Sequence, residues 1–239
     1  MVKFKRVLFK LSGEMLVGSG SFGIDQKACL RLAEALKEVQ DAGVSVGVVI
    51  GGGNFFRGIN LEEMGLSRVP SDQMGMLATL INGVALLEAL RCVGSQATLM
   101  SALECPKVAK TYDWRAAKDA LDRGDIAIFV GGTGNPYFTT DTAAALRASE
   151  IGADVLMKAT KVDGVYDCDP FEFPSAKRFE TLTFSEALER QLGIMDATAL
   201  ALCRKENVSI LVFHMKNLKK GKILTALTQD TLGTWIRGE

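Results

Sequence analysis

The stretch from Ile126 to Ala145 constrains the fold more than any other part of the chain. IAIFV, an apolar run of strand length, empties into GGTGNPYFTTD and then into the small residues TAAA. Continuous apolar runs this short belong to strands buried on both faces, which occur where helices cover both sides of a parallel sheet. VSVGVVI, Val44 to Ile50, is a second such run and discharges into GGGNFFRG, while a third, Arg6 to Leu11, ends in KLSGE. Strand ends built alike gather along one edge of a single sheet, where α/β folds place their ligands. Gly131, Gly132 and Gly134 let the backbone approach a ligand, and Thr133, Asn135, Thr139 and Thr140 offer short hydrogen-bonding groups to an anion or a base edge.

Between these strands the pattern turns helical. Cys29, Leu32, Ala33, Leu36 and Val39 recur at helical spacing and stop at Gly43, with Asp25 placed to cap the start. The glycines of Gly18 to Gly23 match a dinucleotide-binding spacing. They lie beyond the strand end, however, and Asp25 would repel a pyrophosphate, so the segment reads as a mobile flap. Ser71 to Gly94 predicts a helix apolar on almost every side, either central or pressed against another subunit; Asp72 in its first turn reads, by position alone, as a cap. Further on come a strand at Ala97 to Met100, a polar helix at Trp114 to Arg123, a helix at Thr142 to Gly152 and a strand at Val155 to Thr160. Lys161 to Pro170 is a turn-rich acidic loop, TFSE at Thr183 to Glu186 is a capping box, and Asp196 caps a helix through Glu206. The strand Ser209 to Phe213, a helix at Ile223 to Thr228 and the tail Thr234 to Ile236 complete an alternating chain, expected to form one α/β domain over 1–239.

Charge narrows the function. Basic and acidic residues number 28 each, so no cationic excess argues for nucleic acid or a membrane surface, and no stretch reads as a membrane span. Five scattered cysteines without a C-x-x-C pair fit a reducing, cytoplasmic setting and argue against a zinc site. The single histidine, His214, follows an apolar strand and reads as structural, which removes most routes to histidine-based chemistry. What remains is lysine, arginine, carboxylates and backbone amides.

Lys10 stands at a strand end beside Ser12 and Gly13, and Arg57 follows the triple glycine. Lys158 lies inside a buried strand, where an unpaired ammonium is costly, so it requires an anionic neighbour: a carboxylate such as Asp141, or a ligand phosphate. Three glycine-bearing loops with these cations describe a site for several negative charges. Phosphoryl transfer needs such a site, since it proceeds by in-line positioning and charge neutralisation with Mg²⁺ on the donor phosphates. An acceptor that is already ionised needs no general base. The P-loop string and the protein-kinase H-R-D and D-F-G motifs are absent.

KLSGE at Lys10 to Glu14, VIGGGNFFRG at Val49 to Gly58, SDQMGMLAT at Ser71 to Thr79, GGTGNPYFTTDTAA at Gly131 to Ala144, LMKATKVDGVYDCDP at Leu156 to Pro170 and MDATA at Met195 to Ala199 stand in one order and spacing. Together they resemble the bacterial uridylate kinases of the amino-acid-kinase superfamily. The resemblance implies a three-layer α/β/α sandwich with a mainly parallel central sheet, transfer of a phosphoryl group from Mg²⁺-bound ATP to UMP in pyrimidine nucleotide synthesis, and a homohexamer built from dimers. It assigns catalysis to Lys10, Lys158, Asp141 and Arg57, with Asp141 holding the two lysines. Lys10, Leu11, Ser12, Gly13, Gly53, Arg57, Thr160, Tyr166 and Asp169 would bind ATP. Gly52, Arg57, Asp72, Thr133, Gly134, Asn135, Pro136, Tyr137, Phe138, Thr139 and Thr140 would bind UMP. UTP in the UMP pocket would act as a feedback inhibitor. Leu87 stands where some relatives carry arginine, and Val93 to Thr98 is poor in charge, which weighs against activation by GTP.

Overall fold

The computed structural model describes residues 3–56, 65–228 and 232–238. Its core is a sheet in the order β4-β3-β5-β2-β1-β6-β8-β9-β7. The strands are β1 (Arg6–Leu11), β2 (Ser45–Ile50), β3 (Ala97–Ser101), β4 (Lys110–Thr111), β5 (Ile126–Val130), β6 (Val155–Thr160), β7 (Thr181–Thr183), β8 (Ser209–His214) and β9 (Thr234–Arg237). β1 to β6 and β8 run parallel, whereas β9 pairs antiparallel with β8 and carries β7 along with it. β4 and β7 escape a sequence reading because two or three residues show no period.

Alternation along the strands divides the interior into two cores. Val7, Phe9 and Leu11 of β1 pack on one side with α1 (Gln26–Asp41), α3 (Arg68–Cys92) and α8 (Ile223–Thr228). Leu8 packs on the other with α4 (Trp114–Asp122), α5 (Thr140–Ile151), α6 (Phe184–Glu189) and α7 (Ala197–Lys205). Helices on both faces of a mostly parallel sheet make the expected three-layer sandwich. Lys10, two residues beyond Leu8, therefore points to the face that α5 covers.

Two expectations need correction. α3 is long and apolar enough to cross a membrane by length and composition, with an 18-residue stretch of mean hydropathy 1.4, contrary to the reading that no stretch approaches a span. Its apolarity serves the core instead: Leu86 and Leu90 are completely buried, each worth about 1.5–3 kcal/mol. Nor does Asp72 cap this helix. α3 begins at Arg68 with Ser67 in the cap position, which leaves Asp72 a full turn inside. The remaining caps behave as local chemistry predicts: the side chains of Asp25, Thr183 and Asp196 accept from Ala28 N, Glu186 N and Ala199 N. α5 starts two residues earlier than its apolar pattern, because the Thr139 hydroxyl accepts from Asp141 N and Thr142 N.

Candidate active site

β1 and β6 are parallel neighbours from Val7 and Val155 onward, and their register sets Lys10 opposite Lys158. Both side chains thus emerge side by side under the first turn of α5. Asp141, in that turn, lies between them: its Oδ1 is 2.8 Å from Lys10 Nζ and its Oδ2 is 2.7 Å from Lys158 Nζ. Lys158 also donates a hydrogen bond to the carbonyl of Ile194. All three side chains are at least four-fifths buried, with exposures of 16, 15 and 13% for Lys10, Asp141 and Lys158. Burial raises the Asp141 carboxyl, but the ammonium groups of Lys10 and Lys158 reverse this and hold it below the usual carboxylate value. Burial lowers the Lys158 ammonium, helped by the Lys10 charge and opposed by Asp141. Two cations on one carboxylate leave a surplus positive charge in a low-dielectric site, which suits a transferring phosphoryl group.

A cavity of about 310 Å³ opens on one side of this cluster, lined among others by Gly52, Gly53, Asp72, Phe138, Thr139 and Thr140. Asn135 lines it as well. Gly53, which the resemblance assigns to the ATP phosphates, lies here beside Gly52. Asp72 reaches across the mouth, where its Oδ2 accepts from Arg68 Nε at 2.8 Å and from the Tyr137 N–H at 2.7 Å. That second bond holds Tyr137 at φ 72°, a left-handed conformation that a bulky residue seldom adopts. Thr133, Gly134, Pro136 and Tyr137 do not line this cavity; they build the turn behind it, with Thr133 Oγ1 accepting from Asn135 N. Arg57 lies outside the described residues.

On the other side is a larger cavity, about 660 Å³, whose walls include Lys158, Thr160, Tyr166 and Asp169. Tyr166 donates to Asp163 Oδ1 at 2.5 Å, and Asp169 Oδ1 accepts from Phe171 N at 2.8 Å, so both hold the loop in shape. Leu11 turns its side chain wholly into the core of the opposite face. Ser12 caps a short 3-10 turn, Gly13 to Leu16. Gly13 is a packing glycine, since a Cβ there would fall 2.6 Å from the Gly51 carbonyl oxygen.

Several contributors are not legible from local sequence. Asp196, besides capping α7, accepts from Thr139 Oγ1 and from Thr142 Oγ1, the latter at 2.9 Å, and so ties α7 to the start of α5. Arg190 and Gln191 to Ile194 wall the larger cavity. Thr79 Oγ1 accepts from the Gly131 N–H at 2.8 Å and fixes the glycine turn after β5. Polar residues inside an apolar helix, as Thr79 is in α3, were the one available signal. His214 accepts from Lys216 N at 3.0 Å through Nδ1, a structural use. Among the described residues no three His, Cys, Asp or Glu side chains come together to hold a metal.

The sequence profile of the Amino acid kinase family matches residues 5–214. A uridylate kinase of Protochlamydia amoebophila is 53% identical over 232 residues, 97% of this chain and 92% of that protein. The uridylate kinase of Pseudomonas aeruginosa PAO1 is 51% identical over 234 residues, covering 98% and 95% of the two chains. Among solved structures, the UMP kinase from Bacillus anthracis superposes with a TM-score of 0.93 at 34% identity, covering 99% of this chain and 97% of the other. The UMP kinase from Ureaplasma parvum gives 0.90 at 38% identity, with 98% of each chain covered.

Proposed function

The chain belongs to the amino acid kinase family, and on that premise we propose that it is a uridylate kinase, transferring the γ-phosphoryl group of ATP to UMP to give ADP and UDP. One observation carries the reading: the Lys10–Asp141–Lys158 cluster stands between two cavities, with Lys158 in the wall of one and Thr140, next to Asp141, in the wall of the other.

In this reading Mg·ATP enters the larger cavity, its nucleoside near Thr160, Tyr166 and Asp169. Mg²⁺ arrives as the partner of the ATP phosphates, because both oxygens of Asp141 already serve the two lysines. UMP occupies the smaller cavity, its ribose toward Asp72 and its phosphate toward Gly52 and the first turn of α5, whose N-terminus favours an anion. A phosphate oxygen of UMP attacks the γ-phosphorus in line. The bond from that phosphorus to the bridging oxygen breaks, and ADP departs with the electron pair. No proton moves, because the attacking oxygen is already ionised. Lys10 and Lys158 neutralise the charge on the transferring group, and Asp141 keeps their ammonium groups at hydrogen-bonding range of one point.

The chain works as one domain over 1–239, in the cytoplasm, in pyrimidine nucleotide synthesis. Subunits meet through α3, where Leu77 and Ile81 are each about half exposed, in a homohexamer built from dimers. UTP inhibits by occupying the UMP cavity. ADP release measured with Mg·ATP across UMP, CMP, dUMP, acetylglutamate and aspartate tests the assignment. A preference for any acceptor other than UMP would overturn it, and added UTP and GTP report regulation in the same assay.

A further inference from the structure

Behind the glycine loop after β2, two asparagine side chains face each other in the interior. Asn54, in the single turn α2 (Gly53–Phe56), is 1% exposed, and Asn82 of α3 is 0% exposed. They exchange both amide bonds: Asn54 Nδ2 donates to Asn82 Oδ1 at 2.8 Å, and Asn82 Nδ2 donates to Asn54 Oδ1 at 2.7 Å. Each amide gives its other N–H to a loop carbonyl, Asn82 to Gly51 at 2.7 Å and Asn54 to Gly23 at 2.9 Å. Gly13 is pressed so closely on the pair that a Cβ would stand 2.2 Å from Asn54 Oδ1 and 2.8 Å from Asn82 Nδ2. The turn after β1, the segment ending at Gly23, the glycine loop and α3 all meet at these two amides.

An apolar pair of the same shape would fill the space but leave the Gly51 and Gly23 carbonyls without these donors. What the amides add is direction. A trans peptide sends its C=O and the following N–H opposite ways. Anchoring the Gly51 carbonyl inward on buried Asn82 therefore turns the Gly52 N–H outward, at a residue that lines the smaller cavity. Among the described residues that N–H has no hydrogen-bond partner within the chain. The loop cannot rotate away easily, because Gly52 already lies against α3, where a Cβ would be 2.8 Å from the Gly75 carbonyl oxygen.

We propose that the Asn54–Asn82 amide pair is a positioning device that holds the Gly51–Gly52 peptide with its N–H aimed at the phosphate of the acceptor. The proposal rests on the assignment of the 310 Å³ cavity to UMP. Asn82→Asp provides the test. Ionised, it replaces the donor to Gly51 by a repelling oxygen; protonated, it returns one donor, and burial raises the pH at which this happens. At pH 8 the variant is expected to lose about tenfold or more in kcat/KM for UMP, as for a misaimed anion donor, with KM for UMP raised and KM for ATP changed by less than about twofold. The ratio of variant to wild type should climb as the pH is lowered to 6, whereas Asn82→Ala should show the loss without that trend. A fold defect would instead reduce the active fraction and leave both KM values alone. An unchanged KM for UMP, or equal rises for both substrates, overturns the proposal. If Asn82→Asp does not fold, Asn82→Ser carries the same KM comparison. Failure of the wild type to turn over UMP would refute the acceptor assignment separately, and the pair would then be judged on the acceptor that the panel identifies.

Discussion

Lys10 and Lys158 are separated by most of the chain, yet they face each other across β1 and β6 and share the two oxygens of Asp141, at 2.8 and 2.7 Å. Each lysine depends on the same carboxylate, and the carboxylate on both. Replacing Lys10 by Ala should therefore lower kcat by about a hundredfold or more while changing KM for UMP little, because the ammonium acts chiefly on the transferring group. Initial-rate kinetics decide the matter; a change confined to KM would remove Lys10 from that role.

Asp141→Asn leaves two buried ammonium groups without their counter-charge and should destabilise the fold by about 3 kcal/mol, near the lower end for a broken buried pair because all three groups retain some exposure. The pH dependence follows from the lowered Asp141 carboxyl. Its stabilising contribution is fully present above the unfolded value, about 4, and fades as the pH falls through the lower folded value. The gap in Tm between wild type and Asp141→Asn should thus be constant near neutrality and close in strong acid. A gap that persists there would show that the carboxylate charge is not what stabilises the cluster.

Asp72→Asn keeps an oxygen for the Tyr137 N–H but loses the charge that pairs with Arg68. KM for UMP should rise by about tenfold and selection against dUMP should weaken, since a charged acceptor of a ribose hydroxyl is worth about 1.5–3 kcal/mol. Parallel kinetics on UMP and dUMP measure it, and unchanged selectivity would reduce Asp72 to a brace for the loop.

Two glycines in the site loops should respond oppositely to alanine. At Gly13 a Cβ collides with Asn54 and the Gly51 carbonyl, so Gly13→Ala should cost about 1–3 kcal/mol and lower the melting temperature. At Gly53 a Cβ meets nothing within 4 Å, yet Gly53 lines the smaller cavity. Gly53→Ala should keep its stability and alter kinetics alone. Melting curves beside rate measurements separate the two, and equal stability losses would contradict the packing argument.

Leu77→Glu together with Ile81→Glu puts charge on the half-exposed apolar side of α3 and should break the proposed oligomer without unfolding the subunit. Sedimentation velocity reports the change; an unaltered mass would move the interface elsewhere.

Local physics made much of this molecule readable from its residues. Apolar runs of strand length marked β1, β2, β5 and β6, glycine and threonine marked the polar turns that follow them, and Asp25, Thr183 and Asp196 announced helix starts, because each signal is carried by residues a few positions apart. Lys158, inside a buried strand, was equally visible as a cation in need of a partner. Tertiary structure alone decided that Lys10 stands opposite Lys158, that Asp141 lies between them, and that Asn54 meets Asn82. Register between parallel strands is set by crossover helices and two cores, so no short window contains it. The same cause divides the glycine and threonine loops between two cavities: direction in a loop comes from what anchors its carbonyls, and those anchors lie far away along the chain.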